Sequence, residues 1–302
     1  MPSGAVWVTG ATGRLGRDIS ERLERHGVTV VPLVLPGFPP RPKRVPWTAR
    51  AIPVPAGDAA DLAALPPPSA AVLGHWLGDR RLSFAEQLAF EIDRNVGRLG
   101  FLWAGLRDAG VSILVHLSSI RVFGPQNGRS VAADAAPLPA TPYGIAKLAA
   151  ERFLDAAFDA APVRIAHLRL GPVVCHGGHP SQIASQLCAA AFERRRVRIR
   201  SGCVFQPVFI DDVVDRVVGA AMGSACGHEV VVGPPVTTDT FARQFGRTVG
   251  RPLDIVYDET PIPRADPVVS AEFAPTGLDR MIAATIDRHA AECRGGAAQG
   301  ET

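Results

Sequence analysis

Cysteine is scarce and unpaired in this 302-residue chain: Cys175, Cys188, Cys203, Cys226 and Cys293 show no regular spacing and no Cys-x-x-Cys. That excludes a disulfide scaffold and a thiolate metal finger; the cysteines read as isolated thiols in a reducing compartment, and no metal site is expected. Long apolar runs are missing as well, none approaching the ~20 residues a bilayer span needs. The first strand begins almost at the first residue, so no signal peptide is expected and the protein is placed in the cytoplasm. No charge of one sign dominates: 32 Lys and Arg stand against 29 Asp and Glu, interspersed, for a formal net charge of +3. Nothing there draws a nucleic acid, an acidic partner or a membrane surface. The local exception is Arg194-Arg195-Arg196 with Arg198 and Arg200. It reads first as a solvated helix end whose cations suit the C-terminal dipole, and second as an anion site for a substrate phosphate. Only two tyrosines occur, Tyr143 and Tyr257.

What the chain does have is apolar residues at 47% over 302 positions, enough for one large α/β domain with or without a smaller lobe. The pattern is clearest at Ala5–Gly27. Ala5-Val6-Trp7-Val8 is a short apolar run of the buried-strand kind, and it stops at Thr9-Gly10-Ala11-Thr12-Gly13-Arg14-Leu15-Gly16. A helical pattern starts at once, with Leu15, Ile19 and Leu23 four apart and Gly27 in the stop position. A second strand, Val28–Leu35, completes a βαβ unit. Such a turn gathers free backbone N–H groups and the positive end of a helix dipole at one spot, which suits a pyrophosphate. Gly10 supplies the tight turn, Gly13 lets a phosphate approach and Gly16 allows close helix–strand packing.

No acid occupies positions 34–36, where an NAD-selective site places Asp or Glu against the ribose hydroxyls. Arg14 in the turn and Arg41, Lys43 and Arg44 just beyond the strand are cations of the kind a 2′-phosphate needs, which favours NADP(H) over NAD(H), with ordinary loop charges as the competing reading.

A second constellation carries chemistry. The strand Val111–Leu117 runs into Ser118-Ser119-Ile120-Arg121-Val122-Phe123-Gly124, at the carboxyl end where open α/β sheets place their sites. Later comes Thr141-Pro142-Tyr143-Gly144-Ile145-Ala146-Lys147. Threonine then proline starts a helix, and a spacing of four puts Tyr143 and Lys147 on one face. A free phenol titrates near ~10. A neighbouring ammonium stabilises the phenolate, so Tyr143 can exchange a proton with a carbonyl or alcohol oxygen, while Ser119 hydrogen-bonds that oxygen.

Thr-Gly-x-x-Gly-x-x-Gly at the N-terminus, Ser-Ser-x-x-Val-Phe-Gly and Tyr-x-x-x-Lys, in this order and rough spacing, resemble the extended short-chain dehydrogenase/reductase (NAD-dependent epimerase/dehydratase) family. The resemblance covers about Ala5 to Met222 and is diffuse beyond. It implies a Rossmann-type doubly wound parallel sheet, α/β in class, with a small interleaved C-terminal substrate lobe. The core would be residues 1–170 plus 204–233, the lobe 171–203 plus 234–293, and 294–302 a disordered tail. It implies Ser119, Tyr143 and Lys147 as catalytic residues, and Thr9, Gly10, Thr12, Gly13, Arg14, Leu15, Gly16, Asp58, Tyr143 and Lys147 as cofactor residues. Asp58 would look toward the adenine amino group, or serve as an N-cap for Ala59–Leu65. Asn95, opening a helix Arg94–Ala109, would support the site from below. Trp76, in Gly74-His75-Trp76-Leu77-Gly78, is bulkier than the small residues the family places beside the nicotinamide ribose; His75 reads as a packed structural histidine. Helices Arg94–Ala109 and Pro142–Phe158 would form the seam of a homodimer.

Two departures bear on the substrate. Nucleotide-sugar members carry Asn where Pro172 stands and Arg where Phe205 stands, both gripping a diphosphate; proline offers no donor and phenylalanine no charge. The expectation is therefore an NAD(P)-dependent oxidoreductase or epimerase acting on a ketone or secondary alcohol of a small sugar-like or biosynthetic intermediate. A nucleotide-sugar epimerase or 4-ketoreductase is the nearest alternative. A dehydratase is disfavoured by Ile120-Arg121, where an Asp-Glu pair is usual. A non-catalytic NAD(P)-sensing regulator is the alternative from another class.

Overall fold

The computed structural model describes residues 4–35, 52–53, 62, 64–79, 81–125, 130–175, 182–260, 268–270 and 275–298. Asp58, Arg41, Lys43, Arg44, Cys293's side chain and most of the expected helix Ala59–Leu65 lie outside them.

Among the described residues, seven strands form the main sheet. They are β1 (Ala5–Thr9), β2 (Val30–Val34), β3 (Ile52–Pro53), β4 (Pro68–Leu73), β5 (Ile113–Ser119), β6 (Arg164–Leu170) and β7 (Gly227–Val231), in the spatial order β7-β6-β5-β4-β1-β2-β3. The pairs from β6 through β3 are parallel. Every residue of β1 and β5 is buried, as in strands covered on both faces, and the polar ones among them, Thr9, His116, Ser118 and Ser119, are buried with the rest. The order reverses between β1 and β4, which makes the carboxyl ends of those strands the topological switch point. Trp7 sits fully buried in β1 among Leu33, Leu73, Leu102 and Leu114, its indole N–H donating to the Pro66 carbonyl at 2.9 Å. Burying a side chain of that size contributes about 3 kcal/mol.

Helix α1 (Arg14–Arg25) follows β1. Helix α2 (Phe84–Glu91) continues through a π turn, Ile92–Val96, into α3 (Gly97–Asp108). The expectation that Asn95 opens a helix is thus corrected. The start signal lies earlier, at a capping box in which Ser83 accepts from the Glu86 N–H and the Glu86 carboxylate accepts from Ser83. Asn95 sits inside the widened turn. Helix α4 (Pro142–Ala157) starts as the Thr-Pro signal predicts, with Thr141 accepting from the Gly144 N–H at 3.1 Å.

The chain divides into two compact units. One is Met1–Gly124, Ala133–Leu170 and Val213–Val230; the other is Pro125–Ala132, Gly171–Asp212 and Val231–Thr302. The second unit contains α5 (Ile183–Phe192), α7 (Thr238–Val249) and α8 (Leu278–Ala298), while α6 (Ile210–Ala221) begins there and ends in the first. Two expectations are corrected in it. Val204–Ile210 is not one strand: Val204–Phe205 pairs antiparallel with Val236–Thr237, and Val208–Phe209 pairs parallel with Val173–Val174. Gln206 and Pro207 break the run: proline has no N–H to give a ladder, and the buried Gln206 side-chain amide bonds Gly233 and Val269. The last helix runs through Ala298, so residues 294–298 are helical where a disordered tail was expected. Arg198 and Arg200 alternate outward on the strand Val197–Arg200, and Arg196 holds Asp254 at 3.0 Å, which matches the solvated reading of the arginine run.

Candidate active site

The glycine turn joins β1 to α1. Gly10 has φ +70°, a conformation that side chains disfavour, and a Cβ on Gly16 would overlap the Gly10 carbonyl oxygen. No side chain caps the N-terminus of α1 and its first turn holds no acid. The backbone N–H groups there have the geometry that binds a phosphate. The side chains behave differently. Thr9 is 1% exposed, and its hydroxyl is spent on the end of β4: it lies 2.9 Å from His75 Nδ1 and accepts from the Gly74 N–H at 3.1 Å. The Arg14 guanidinium lies 3.4 Å from Asp18, one turn along the helix. Burial and the nearby Lys147 charge push the His75 imidazole down to about 3, so it is neutral, as a structural histidine should be.

Ser119 ends β5, 6% exposed. Its oxygen accepts from the Arg121 N–H at 3.2 Å, which leaves the hydroxyl hydrogen to donate. Gly144 brings α4 against this turn. A Cβ there would stand 2.5 Å from the Arg121 carbonyl oxygen, so the residue after Tyr143 must be glycine for the two segments to meet. Tyr143 and Lys147 occupy the first two turns of α4 on one face, with Lys147 Nζ 5.8 Å from the Tyr143 ring centroid.

Lys147 is 4% exposed, and its ammonium donates to the Leu117 carbonyl at 2.6 Å. Trp76 covers it: Nζ lies 3.7 Å from the indole centroid, and the same indole meets Tyr143 edge-on at 5.5 Å. Trp76 is thus the aromatic wall of the site. Its N–H donates to Glu91 at 3.3 Å, and Gln87 donates to the other Glu91 oxygen at 2.6 Å. Asn95 supports that wall by bonding both the N–H and the carbonyl of Leu77 at 2.7 Å, while its amide also reaches the Glu91 carbonyl. Burial drives the Lys147 amine down to about 7 against the opposing pull of Glu91 and Glu151.

This lowering has a consequence for stability. The unfolded chain keeps the Lys147 proton up to its ordinary value, whereas the folded chain releases it from about 7 upward. The unfolded state therefore binds more protons between pH ~7 and ~10, and stability rises with pH in that window. Denaturant titrations across this range should show the rise in the wild type and a smaller one in Lys147→Met.

Sequence reasoning missed the residues behind Lys147, although the four-residue spacing Tyr143-Lys147-Glu151-Asp155 would have shown them. Glu151 is fully buried and takes a bidentate pair from Arg169 at 3.2 and 2.8 Å and a bond from Ser118 at 2.5 Å. Burial pushes its carboxyl up, but the hydrogen bonds from His228, Arg169 and Ser118 outweigh that and hold it well below the usual carboxylate range. The result is a fixed buried anion one turn beyond Lys147.

A profile of the family described as "NAD dependent epimerase/dehydratase family" matches residues 6–233. A search of curated proteins returned no match. Among solved structures, the chain is similar to MoeE5 in complex with UDP-glucuronic acid and NAD, at 23% identity and TM-score 0.79 over 96% of this chain and 100% of that one. It is similar to the UDP-glucose 4-epimerase of Thermus thermophilus complexed with NAD, at 20% identity and TM-score 0.80 over 95% and 99%. It is also similar to TunA, an NAD-dependent NDP-hexosamine 5,6-dehydratase of tunicamycin biosynthesis, at 18% identity and TM-score 0.74 over 94% and 97%. Those identities speak for the fold, and the profile spans the glycine turn, the Ser119 segment and the Tyr143–Lys147 helix: the chain belongs to the NAD dependent epimerase/dehydratase family and is an NAD(P)-dependent oxidoreductase or epimerase.

Proposed function

We propose that the protein exchanges a hydride between NAD(H) and a secondary alcohol or ketone of a small sugar-like intermediate, with Tyr143 as acid/base, Lys147 as its partner and Ser119 as the donor to the substrate oxygen. The observation that carries this reading is the pairing of Tyr143 with the buried Lys147 beside Trp76, at the start of α4. The dinucleotide fits the residues present. The uncapped N-terminus of α1 and the backbone from Gly10 to Gly16 suit its pyrophosphate, with Thr12, Gly13 and Leu15 in that turn, and Tyr143 suits its nicotinamide ribose, which Lys147 reaches only when the Trp76 ring leaves the ammonium. When bound, the nicotinamide supplies hydride acceptance and return.

The remaining work falls to this chain's side chains. The Tyr143 hydroxyl takes the proton of an alcohol or gives one to a carbonyl oxygen. The Lys147 ammonium, held by the Leu117 carbonyl, favours the phenolate, and the Ser119 hydroxyl stabilises charge on the substrate oxygen. Trp76 keeps water from the ammonium, which strengthens every charge interaction around it.

We favour NAD(H) over NADP(H). Arg14, the one described cation of those that argued for a 2′-phosphate, is engaged by Asp18. The three neighbours named above are described with NAD. Calorimetric titration of the full chain with NAD, NADH, NADP and NADPH tests the assignment. Tighter binding of NAD(H) is the expected result; binding of NADPH alone would reverse the choice, and no binding of any dinucleotide would overturn the function.

A nucleotide-sugar epimerase is the second reading, favoured by the UDP-sugars named in the neighbours' descriptions. Against it, Phe205 is 7% exposed and packs on Phe241 at 5.4 Å, and the Pro172 carbonyl accepts from Val208 at 3.0 Å, so neither position offers a diphosphate a cation or an amide. A homodimer across α2, α3 and α4 is the assembly that would cover Phe84 and Phe101, about half exposed at 49% and 46%.

A further inference from the structure

Three turns beyond Tyr143 on α4, a second polar cluster forms where that helix meets β6 and β7. One donor atom each from Asp155, His167 and His228 lie within 4.8 Å of one another. His167 Nε2 is 2.9 Å from Asp155 Oδ1, and the His167 and His228 rings stack with centroids 4.9 Å apart and planes 24° apart. We propose that these three residues bind one divalent transition ion of the zinc class, with water completing its coordination.

The donor set argues for that class. Two imidazoles and one carboxylate suit zinc, cobalt or nickel, whereas calcium and magnesium demand oxygen donors throughout. The site also has the support that metal-binding histidines need. His167 Nδ1 lies 3.1 Å from Nδ1 of His116, its register partner on β5, and this bond fixes the orientation of the buried ring from behind. The other two ligands supply an entry path, since the His228 and Asp155 side chains are 33% and 39% exposed. Donors around an ion with bonds of ~2.1 Å stand roughly 3.4 Å apart, so the His228 side chain must close by up to about 1.4 Å, and the 3.3 Å contact of its Nε2 with Glu151 is given up where that nitrogen is the ligand. Coordination through Nε2 requires the neutral His167 to carry its one proton on Nδ1, donated to Nδ1 of His116, so the ion takes the place of the hydrogen shared with Asp155 by a tautomer shift and the imidazole stays neutral. Twelve residues of helix place the site roughly 18 Å from the Tyr143 position, so the ion would tie α4, β6 and β7 together and take no part in the hydride chemistry.

The test uses the full-length, untagged protein, stripped with chelator and titrated with Zn²⁺ by calorimetry and with Co²⁺ by visible absorption. The expected result is one ion per chain, a cobalt spectrum of low coordination number, and a thermal midpoint that rises with Zn²⁺. His228→Ala and Asp155→Ala change partly exposed side chains, so each should fold and bind at least roughly tenfold more weakly. Circular dichroism checks that they fold. Absence of stoichiometric binding, or binding that both variants retain unchanged, overturns the proposal. Dinucleotide titration of the same samples keeps this outcome separate from that of the active site.

Discussion

Tyr143→Phe removes the group positioned to exchange a proton beside Lys147 and should lower turnover by roughly 10²–10⁴-fold once a substrate is in hand. Dinucleotide affinity should fall far less, by the one ribose hydrogen bond of the lost hydroxyl, because the pyrophosphate contacts at α1 are untouched and the phenyl ring keeps its edge-on contact with Trp76. That split is the informative part. A variant that loses binding and turnover together would make Tyr143 a wall of the cofactor site, whereas one that keeps both would end its role as acid/base. Substrate candidates can be screened by following reduction of NAD with sugar-like secondary alcohols, the nucleotide-linked ones included, since Phe205 and Pro172 argue against these without excluding other grips. Tyr257 is 40% exposed in the second unit, outside this constellation, so Tyr257→Phe serves as the control.

The second large effect concerns stability. Glu151→Ala leaves the Arg169 guanidinium, 5% exposed, without its bidentate partner and strips the Ser118 hydroxyl of its acceptor. Breaking a buried pair from one side costs about 3–5 kcal/mol, because the remaining charge stays in a low dielectric. Urea unfolding should show that loss. The double variant Glu151→Met with Arg169→Met should recover most of it, since exchanging both partners for apolar groups of similar size is close to neutral. If the single variant lost less than about 1 kcal/mol, water would be solvating Arg169 and the description of Glu151 as a fixed dry anion would be wrong.

The parts of this molecule that sequence made legible are those with short-range signals. The strand–glycine–helix run from Ala5 announces its own geometry, because Gly10 and Gly16 stand at positions that reject a side chain. Thr141 and Pro142 start α4 where a cap and a fixed φ predict, and from that start the spacing of four delivers Tyr143 and Lys147 to one face. The capping box at Ser83 was equally local and was overlooked, which misplaced the start of the helix carrying Asn95 by about three turns.

What was not legible depends on partners distant in the chain. Trp76 reads as an oversized residue in a loop; only the return of α4 places its ring over Lys147. Thr9 reads as part of the phosphate turn, yet its hydroxyl is claimed by β4, some sixty-odd residues on. Asp155, His167 and His228 come from three separate elements, and no spacing rule joins them. The Val204–Ile210 run looked like one strand because alternation cannot reveal that Gln206 is claimed by Gly233 and Val269.

The central claim is that a dinucleotide lies along the first βαβ unit with its nicotinamide end at Tyr143 and Lys147. The direct measurement is a crystal structure of the full chain with NAD(H) bound. The account predicts the pyrophosphate against the N-terminal N–H groups of α1, and a nicotinamide ribose hydroxyl within hydrogen-bond reach of both Lys147 Nζ and the Tyr143 hydroxyl. A dinucleotide seated elsewhere, or one whose nicotinamide end leaves Lys147 bonded only to the Leu117 carbonyl beneath Trp76, would contradict it.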